Sequence, residues 1–267
     1  MPANGRGVKQ AERYFQLLFL SGIAACEMVS FDNFFKSAFT VDNVIFGFDE
    51  GDLKVLLIKR GEEPYLGYWA LPGYFVYPNE DLDTAAQRVL FELTGLRDVY
   101  LEQVQTFGAV DRHDFGRVIT VAYFSLVKTS NHALEVASIA RKARWHSISN
   151  IPDLGFDHRD ILRACFNRLK WLVKSRPLGF ELLPPKFTLT ELQHLYEAIL
   201  ETELDKRNFR KKILSMGLLI ELDEIQEGVA HRPARLYQFD EGRYQELLEE
   251  GFSFELKETR KKTGSAS

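Results

Sequence analysis

The segment from Leu71 to Leu96 constrains this chain more than any other. It opens on Leu71-Pro72-Gly73-Tyr74-Phe75-Val76, passes Glu80, and runs into residues 82–94, where Ala85, Val89 and Leu93 recur at i, i+4 and i+8 beside Ala86 and Leu90. That period is a helix with one apolar stripe. Arg88 and Glu92 sit one turn apart on the same helix, close enough to form an ion pair.

The flanking residues have the composition of strands. Val41–Phe48 is β-branched and aromatic, Asp49-Glu50-Gly51-Asp52 supplies turn chemistry, and Leu53–Arg60 follows, so the pair reads as a hairpin. Further strands are expected around Glu102–Gly108 and Val118–Val127, with a short one near Arg144–Ser147. Residues 158–174 place Ile161, Leu162, Cys165, Phe166, Leu169 and Leu172 on one helical face. Helices interspersed with a mixed sheet predict an α/β fold, an α/β/α sandwich.

The pattern changes after residue 175. Ser175-Arg176-Pro177-Leu178-Gly179 and Pro184-Pro185 mark a short non-helical connection, apolar enough through Leu178, Phe180, Leu182, Leu183 and Phe187 to pack down. Beyond it a helix is expected over 190–200, capped by Thr188 or Thr190, then a turn, a helix over 205–215, and strands near 218–222 and 235–239. Lys206-Arg207-Asn208-Phe209-Arg210-Lys211-Lys212 places five basic residues in seven positions on the second helix, with Phe209, Ile213 and Leu214 as its buried face. Two short helices and a basic second one are what insertion into a DNA major groove requires. Arg and Asn make bidentate contacts to guanine and adenine, and Lys suits phosphate. Between the last two strands, Gly228–Arg235 carries Arg232 and Arg235 and reads as a wing. The candidate DNA contacts are Thr188, Thr190, Lys206, Arg207, Asn208, Arg210, Lys211, Arg232 and Arg235. The plainer alternative is a solvated helix face, or a basic helix that contacts protein or RNA.

The Leu71–Leu96 segment resembles the signature box of the Nudix family over residues 40–170. Aligned on Gly95, Glu80 and Arg88 fall at family positions and Glu92 matches the first glutamate of the family's Glu-Glu pair. Tyr74 replaces a family glycine, Val89 the glutamate after the arginine, and Leu93 the second glutamate of the pair. Nudix hydrolysis works through Mg²⁺, which needs several oxygen ligands in tight octahedral geometry. One surviving helix carboxylate does not supply them, so no catalytic residue, metal or cofactor is expected here, and Arg88, Glu92 and Glu80 read as structural. The competing expectation is an active hydrolase of a nucleoside diphosphate derivative. The pocket is still expected to bind a small molecule through Arg60, Trp69, Phe75, Asp111 and Arg112, aromatic planes beside ionic groups. The bland alternative makes Trp69 and Phe75 core and Asp111-Arg112 a solvated turn. His113 and His158 read as surface or hydrogen-bonded residues.

Taken together, residues 31–256 resemble the Nudix-related transcriptional regulators, most closely the arabinose-responsive repressors of Bacteroides-type bacteria. Phe39–Phe48, Val99–Val104 with Phe107–Arg112, Phe187–Gln193, Leu195–Ile199 and Leu204–Lys211 carry the likeness. It implies a homodimeric repressor with a double-stranded DNA operator, released by a small effector: L-arabinose in one branch, ADP-ribose or a relative in the other. The lost glutamates tilt the expectation toward a sugar.

Composition bounds the rest. The 267 residues suit two domains, at 45% hydrophobic and 27% charged. A net charge of -4 gives DNA binding no general support, so that case rests on local charge. Cys26 and Cys165 match no metal or redox spacing, and Cys165 reads as a buried thiol. Residues 1–30 are expected to be a leader or disordered extension, with Met28 as an alternative start. Ile23-Ala24-Ala25-Cys26 resembles a lipoprotein cleavage site, but the apolar stretch before it is short beside the about 20 residues of a membrane span. A cytoplasmic protein is expected, with a sensing domain over 31–175, a winged helix over 176–256 and a disordered tail over 257–267.

Overall fold

A computed structural model describes residues 37–97, 99–114, 116–128, 140–228 and 232–254. The expected leader and tail, with Cys26 and Met28, lie outside the described residues. Strand β1 (Ala38–Asp49) turns into β2 (Asp52–Arg60), and the two pair antiparallel with Ile45 opposite Leu56. Short β3 (Trp69–Ala70) and β4 (Gly73–Phe75) follow, then helix α1 (Leu82–Thr94), β5 (Tyr100–Phe107), β6 (Val118–Lys128), β7 (Ala140–Ser147) and helix α2 (His158–Ser175). The seven strands form one mixed sheet, ordered β3-β2-β1-β6-β5, with β4 against β1 and β7 against β2. β1 and β6 run parallel along their whole length, which sets Asp42 beside Ala122.

Strand alternation then decides which helix each residue meets. Val44, Phe46 and Phe48 of β1, with Ala122, Phe124 and Leu126 of β6, join Ile161, Cys165 and Leu169 of α2 in one core. Val41, Val121 and Tyr123 face the other way onto Ala85, Ala86, Val89 and Leu93 of α1. The predicted sandwich is therefore present, with α1 and α2 on opposite faces. The Cys165 thiol is buried and free, and desolvation pushes its pKa up.

The connection after α2 is a 3₁₀ helix (Leu178–Leu182), not the expected non-helical stretch. Its Phe180 and Leu182 are buried, as the apolar content predicted. Helices α3 (Leu189–Leu200) and α4 (Lys206–Ser215) and the hairpin β8 (Leu219–Ile225) and β9 (Arg235–Phe239) follow. Phe187 bridges to Tyr237 and adds a third extended segment to that hairpin. A last helix, α5 (Glu241–Glu249), was not foreseen; it has no buried residue, so its apolar period is weak. Leu192, Leu195, Tyr196 and Ile199 of α3 belong to the same core as α2 and the sheet.

Candidate effector cavity and DNA-binding face

Asp42 lies in the middle of the cavity wall because β1 carries it between two neighbours. Gly73 of β4 pairs with it on one side, and a Cβ at Gly73 would stand 1.9 Å from Asp42 Oδ1, so only glycine fits there. On the other side Thr120 of β6 donates its hydroxyl to Asp42 Oδ2 at 2.8 Å. Arg112 reaches in from the β5–β6 loop with its side chain only 4% exposed, donating to both oxygens of Asp157 at 2.9 and 2.7 Å and lying 3.8 Å from Asp42. His158, the first residue of α2, accepts the Leu71 N–H on Nδ1 at 2.9 Å and places Nε2 3.5 Å from Asp42 Oδ1. Burial, outweighing the nearby Asp42, lowers the His158 pKa, and Nδ1 as acceptor demands the neutral ring.

Above this floor is a cavity of about 220 Å³ lined by Asp42, Arg60, Glu62, Glu63, Tyr74, Phe75, Arg112, His113, Phe156 and His158, among others. Phe156 stands in the left-handed region at φ 56°, a conformation that costs a bulky residue about 1 kcal/mol or more. Its ring stacks with His113 at 5.1 Å and receives the Arg60 guanidinium at 4.9 Å. Arg60 also donates from Nε to the Pro64 carbonyl at 2.7 Å, which fixes it at the rim. Aromatic planes, a cation and buried hydrogen-bonding groups converge as they do in ligand pockets.

Of the five residues expected to bind an effector, Arg60, Phe75 and Arg112 line this cavity. Trp69 does not; it pairs with Lys59 at the edge of β2 and packs edge-on against His146 at 4.6 Å. Asp111 does not either, and it is exposed in the turn while its neighbour Arg112 points inward. Asp42, Thr120, Phe156 and Asp157 were missed. His158 was expected to be a surface or hydrogen-bonded residue; it is buried, hydrogen-bonded and part of the cavity wall. The one sequence signal for Asp42 was a carboxylate in the middle of an apolar strand.

The surviving box residues hold each other. Arg88 donates to both Glu80 oxygens at 2.9 and 2.6 Å, to Glu92 at 2.9 Å and to the Phe75 carbonyl at 2.9 Å. The Arg88 hydrogen bonds bring the Glu80 pKa down to about 2. Val89 is fully buried and Leu93 nearly so. Among the described residues, no group of three or more His, Cys, Asp or Glu could hold a metal ion.

In the second half, Thr188 caps α3 in a capping box with Glu191: Thr188 Oγ1 accepts the Glu191 N–H at 3.1 Å, and the Thr188 N–H donates back to Glu191 at 2.6 Å. At 2% exposure its hydroxyl serves the helix, not a surface. Glu197 accepts from the Leu204 N–H and the Gln193 amide, bracing the turn into α4. Phe209 and Ile213 seat α4 in the core, whereas Leu214, expected there, is exposed. Lys206, Arg207, Asn208, Lys211 and Lys212 are exposed, with no side-chain partner among the described residues. Arg210 differs, turning back to donate to Thr190 Oγ1 at 2.9 Å. On the hairpin, Arg235 pairs with Glu221, and Asp223, Glu224 and Glu227 stand nearby, so the wing is less basic than its loop sequence promised. Arg232 is exposed, and Val229–His231 lie outside the described residues.

The comparisons agree with this division. Residues 179–239 match the NrtR DNA-binding winged helix domain, and residues 36–165 match the NUDIX domain. The chain is 40% identical over 204 residues to the ADPR responsive transcriptional repressor NtrR of Acinetobacter baylyi, covering 75% of this chain and 81% of that one. The chain belongs to the NrtR family of Nudix-related transcriptional regulators. Its fold is that of Shewanella oneidensis NrtR, crystallised with a 27mer DNA, at a TM-score of 0.66 and 32% identity over 75% of this chain and 93% of that one. The ADP-ribose pyrophosphatase of Methanocaldococcus jannaschii is 33% identical over 126 residues, 47% of this chain and 71% of its own. This NrtR-family chain is thus a DNA-binding transcriptional regulator whose sensing half has a Nudix fold. Among its described residues no helix is long and apolar enough to cross a membrane.

Proposed function

We propose that this protein is a repressor that leaves its operator when ADP-ribose or a close relative occupies the cavity of the Nudix domain. The observation that carries the proposal is the pairing of a box that lacks two of its family glutamates with a basic helix whose exposed cations have no side-chain partner among the described residues. ADP-ribose is favoured over a sugar because the two relatives above with named ligands are named for it. The arabinose specificity drawn from the sequence finds no support in those relatives. A diphosphate needs cations, and Arg60 and Arg112 supply them where Mg²⁺ would otherwise serve. We assign effector binding to Arg60, Phe75 and Arg112, joined by Asp42, Phe156 and His158.

On α4, Lys206, Arg207, Asn208 and Lys211 are the DNA contacts we assign, with Arg232 on the wing and Thr190 held through Arg210. The protein acts as a homodimer in the cytoplasm. It does not hydrolyse its effector, because Val89 and Leu93 replace two carboxylates that a metal cluster needs.

The test is capture of genomic DNA fragments by the purified protein, followed by titration with ADP-ribose, L-arabinose and buffer. Release by ADP-ribose alone is expected, and release by arabinose alone would overturn the effector assignment. Metal-dependent turnover of ADP-ribose that disappears in Glu92→Gln would overturn the inactive reading and establish a hydrolase.

A further inference from the structure

The floor of the cavity holds an ion pair with a second partner within reach. Arg112 lines the cavity and grips Asp157 with two hydrogen bonds, Nε to Oδ2 at 2.9 Å and Nη2 to Oδ1 at 2.7 Å. Asp157 is the N-cap residue of α2, yet its side chain makes no cap bond. The other four described α-helices are each closed by their cap side chain, Asp81, Thr188, Asp205 or Asp240. Asp157 therefore holds the arginine in place of the stabilising cap bond that an N-cap aspartate normally makes. The helix it fails to cap is also the one that reaches the DNA-binding half. Leu169, Leu172 and Val173 of α2 share a core with Leu192, Leu195 and Tyr196 of α3, and Lys170 pairs with Glu201 at the end of α3.

We propose that the Arg112–Asp157 pair is the latch by which an anionic effector acts on the winged helix. The effector's diphosphate draws the Arg112 guanidinium onto itself, and the freed Asp157 carboxylate turns to the first-turn N–H groups of α2. Bidentate arginine pairs with carboxylate and with phosphate are of one kind and similar strength, so the exchange runs between comparable states. No charge is left buried alone: Arg112 keeps a phosphate, Asp157 gains the positive end of the helix dipole, and Asp42, 3.8 Å from Arg112, keeps the Thr120 hydroxyl. Capping resets the first turn of α2, and the shared core carries the change to α3 and to α4 packed on it. A neutral pentose has no charge with which to compete for Arg112, so the latch admits anions and ignores sugars.

The latch rests on the ADP-ribose reading above, and one set of measurements separates the two. Operator affinity of the full-length protein is measured by fluorescence anisotropy with and without ADP-ribose, and ADP-ribose affinity by calorimetry, for the wild type, Asp157→Asn and Asp157→Ser. Asn and Ser cap helices well but cannot pair with Arg112 as a carboxylate does. Both variants should bind the operator at least about fivefold more weakly than wild type without ligand. Adding ADP-ribose should weaken them little further, and ADP-ribose itself should bind them as tightly as wild type or tighter, as reciprocal coupling requires. Variants that fold, shown by a cooperative melt, and bind operator as the wild type does without ligand overturn the latch, whatever the effector is. Wild type that shows no heat of binding with ADP-ribose overturns the effector reading.

Discussion

His158 has both ring nitrogens engaged, and protonation would disturb one of them. Nδ1 accepts the Leu71 N–H, so it can take up a proton only by breaking that bond. Burial lowers its pKa from 6.5 in the folded chain. The unfolded chain therefore binds a proton as pH falls through about 6.5 while the folded chain resists, and stability is lost on acidification. His113 and His146 are shifted in the same direction, also by desolvation first. Urea midpoints should thus fall between pH 7.5 and 5.5, by less in His158→Gln than in wild type. An equal fall in both would remove His158 from this role. A similar contrast separates two arginines of α4. Arg207 has no side-chain partner among the described residues, and Arg210 is tied to Thr190. Arg207→Ala should cost about 1–3 kcal/mol, concentrated at one base position of the operator. Arg210→Ala should weaken all sequences alike with an unchanged salt slope, because it positions the helix instead of neutralising a phosphate; anisotropy over a salt series reads both.

At the scale of elements, α1 packs an apolar stripe where the Nudix box has two of its glutamates. Val89 packs with Val41, Ile58 and Ala70, so restoring the family glutamate there buries a carboxylate without a partner. Val89→Glu should lower stability by on the order of 3 kcal/mol in urea melts and yield no Mg²⁺-dependent turnover. This helix was legible from its sequence because one apolar stripe recurs through all its turns. So were the β1–β2 hairpin, α2, α3 and α4, whose patterns are equally regular. β3 and β4, at two and three residues, are too short to show a period. α5 escaped notice because Leu247 and Tyr244 are only partly covered while Leu248 is exposed, which dilutes its stripe. The 3₁₀ segment looked like a loop because Pro177 and Gly179 flank its start, although its burial was foreseeable from Phe180 and Leu182.

At the scale of the molecule, an acidic protein at net charge -4 binds DNA only through a local surface, and the exposed cations of α4 are the one proposed above. Lys206→Gln and Lys211→Gln should each lower the slope of log K against log salt by about 0.9 if each meets one phosphate. A dimer would require operators of two-fold symmetry, with half-sites about one helical turn or a multiple apart. Footprints of captured fragments check that, and a single unpaired half-site would count against the dimer.

Local pattern in the sequence was enough to establish the two halves, the loss of the box carboxylates and the basic second helix. Each of those depends on residues within a few turns of one another. The cavity depended on tertiary structure, since Asp42, Arg112, Thr120 and Asp157 come from different elements and meet only through the parallel register of β1 with β6 and the start of α2. So did the inward turn of Arg112 beside outward Asp111, and of Arg210 beside outward Arg207. Charged residues close in sequence are told apart by which one finds a partly buried partner, and those partners lie 45 and 20 residues away.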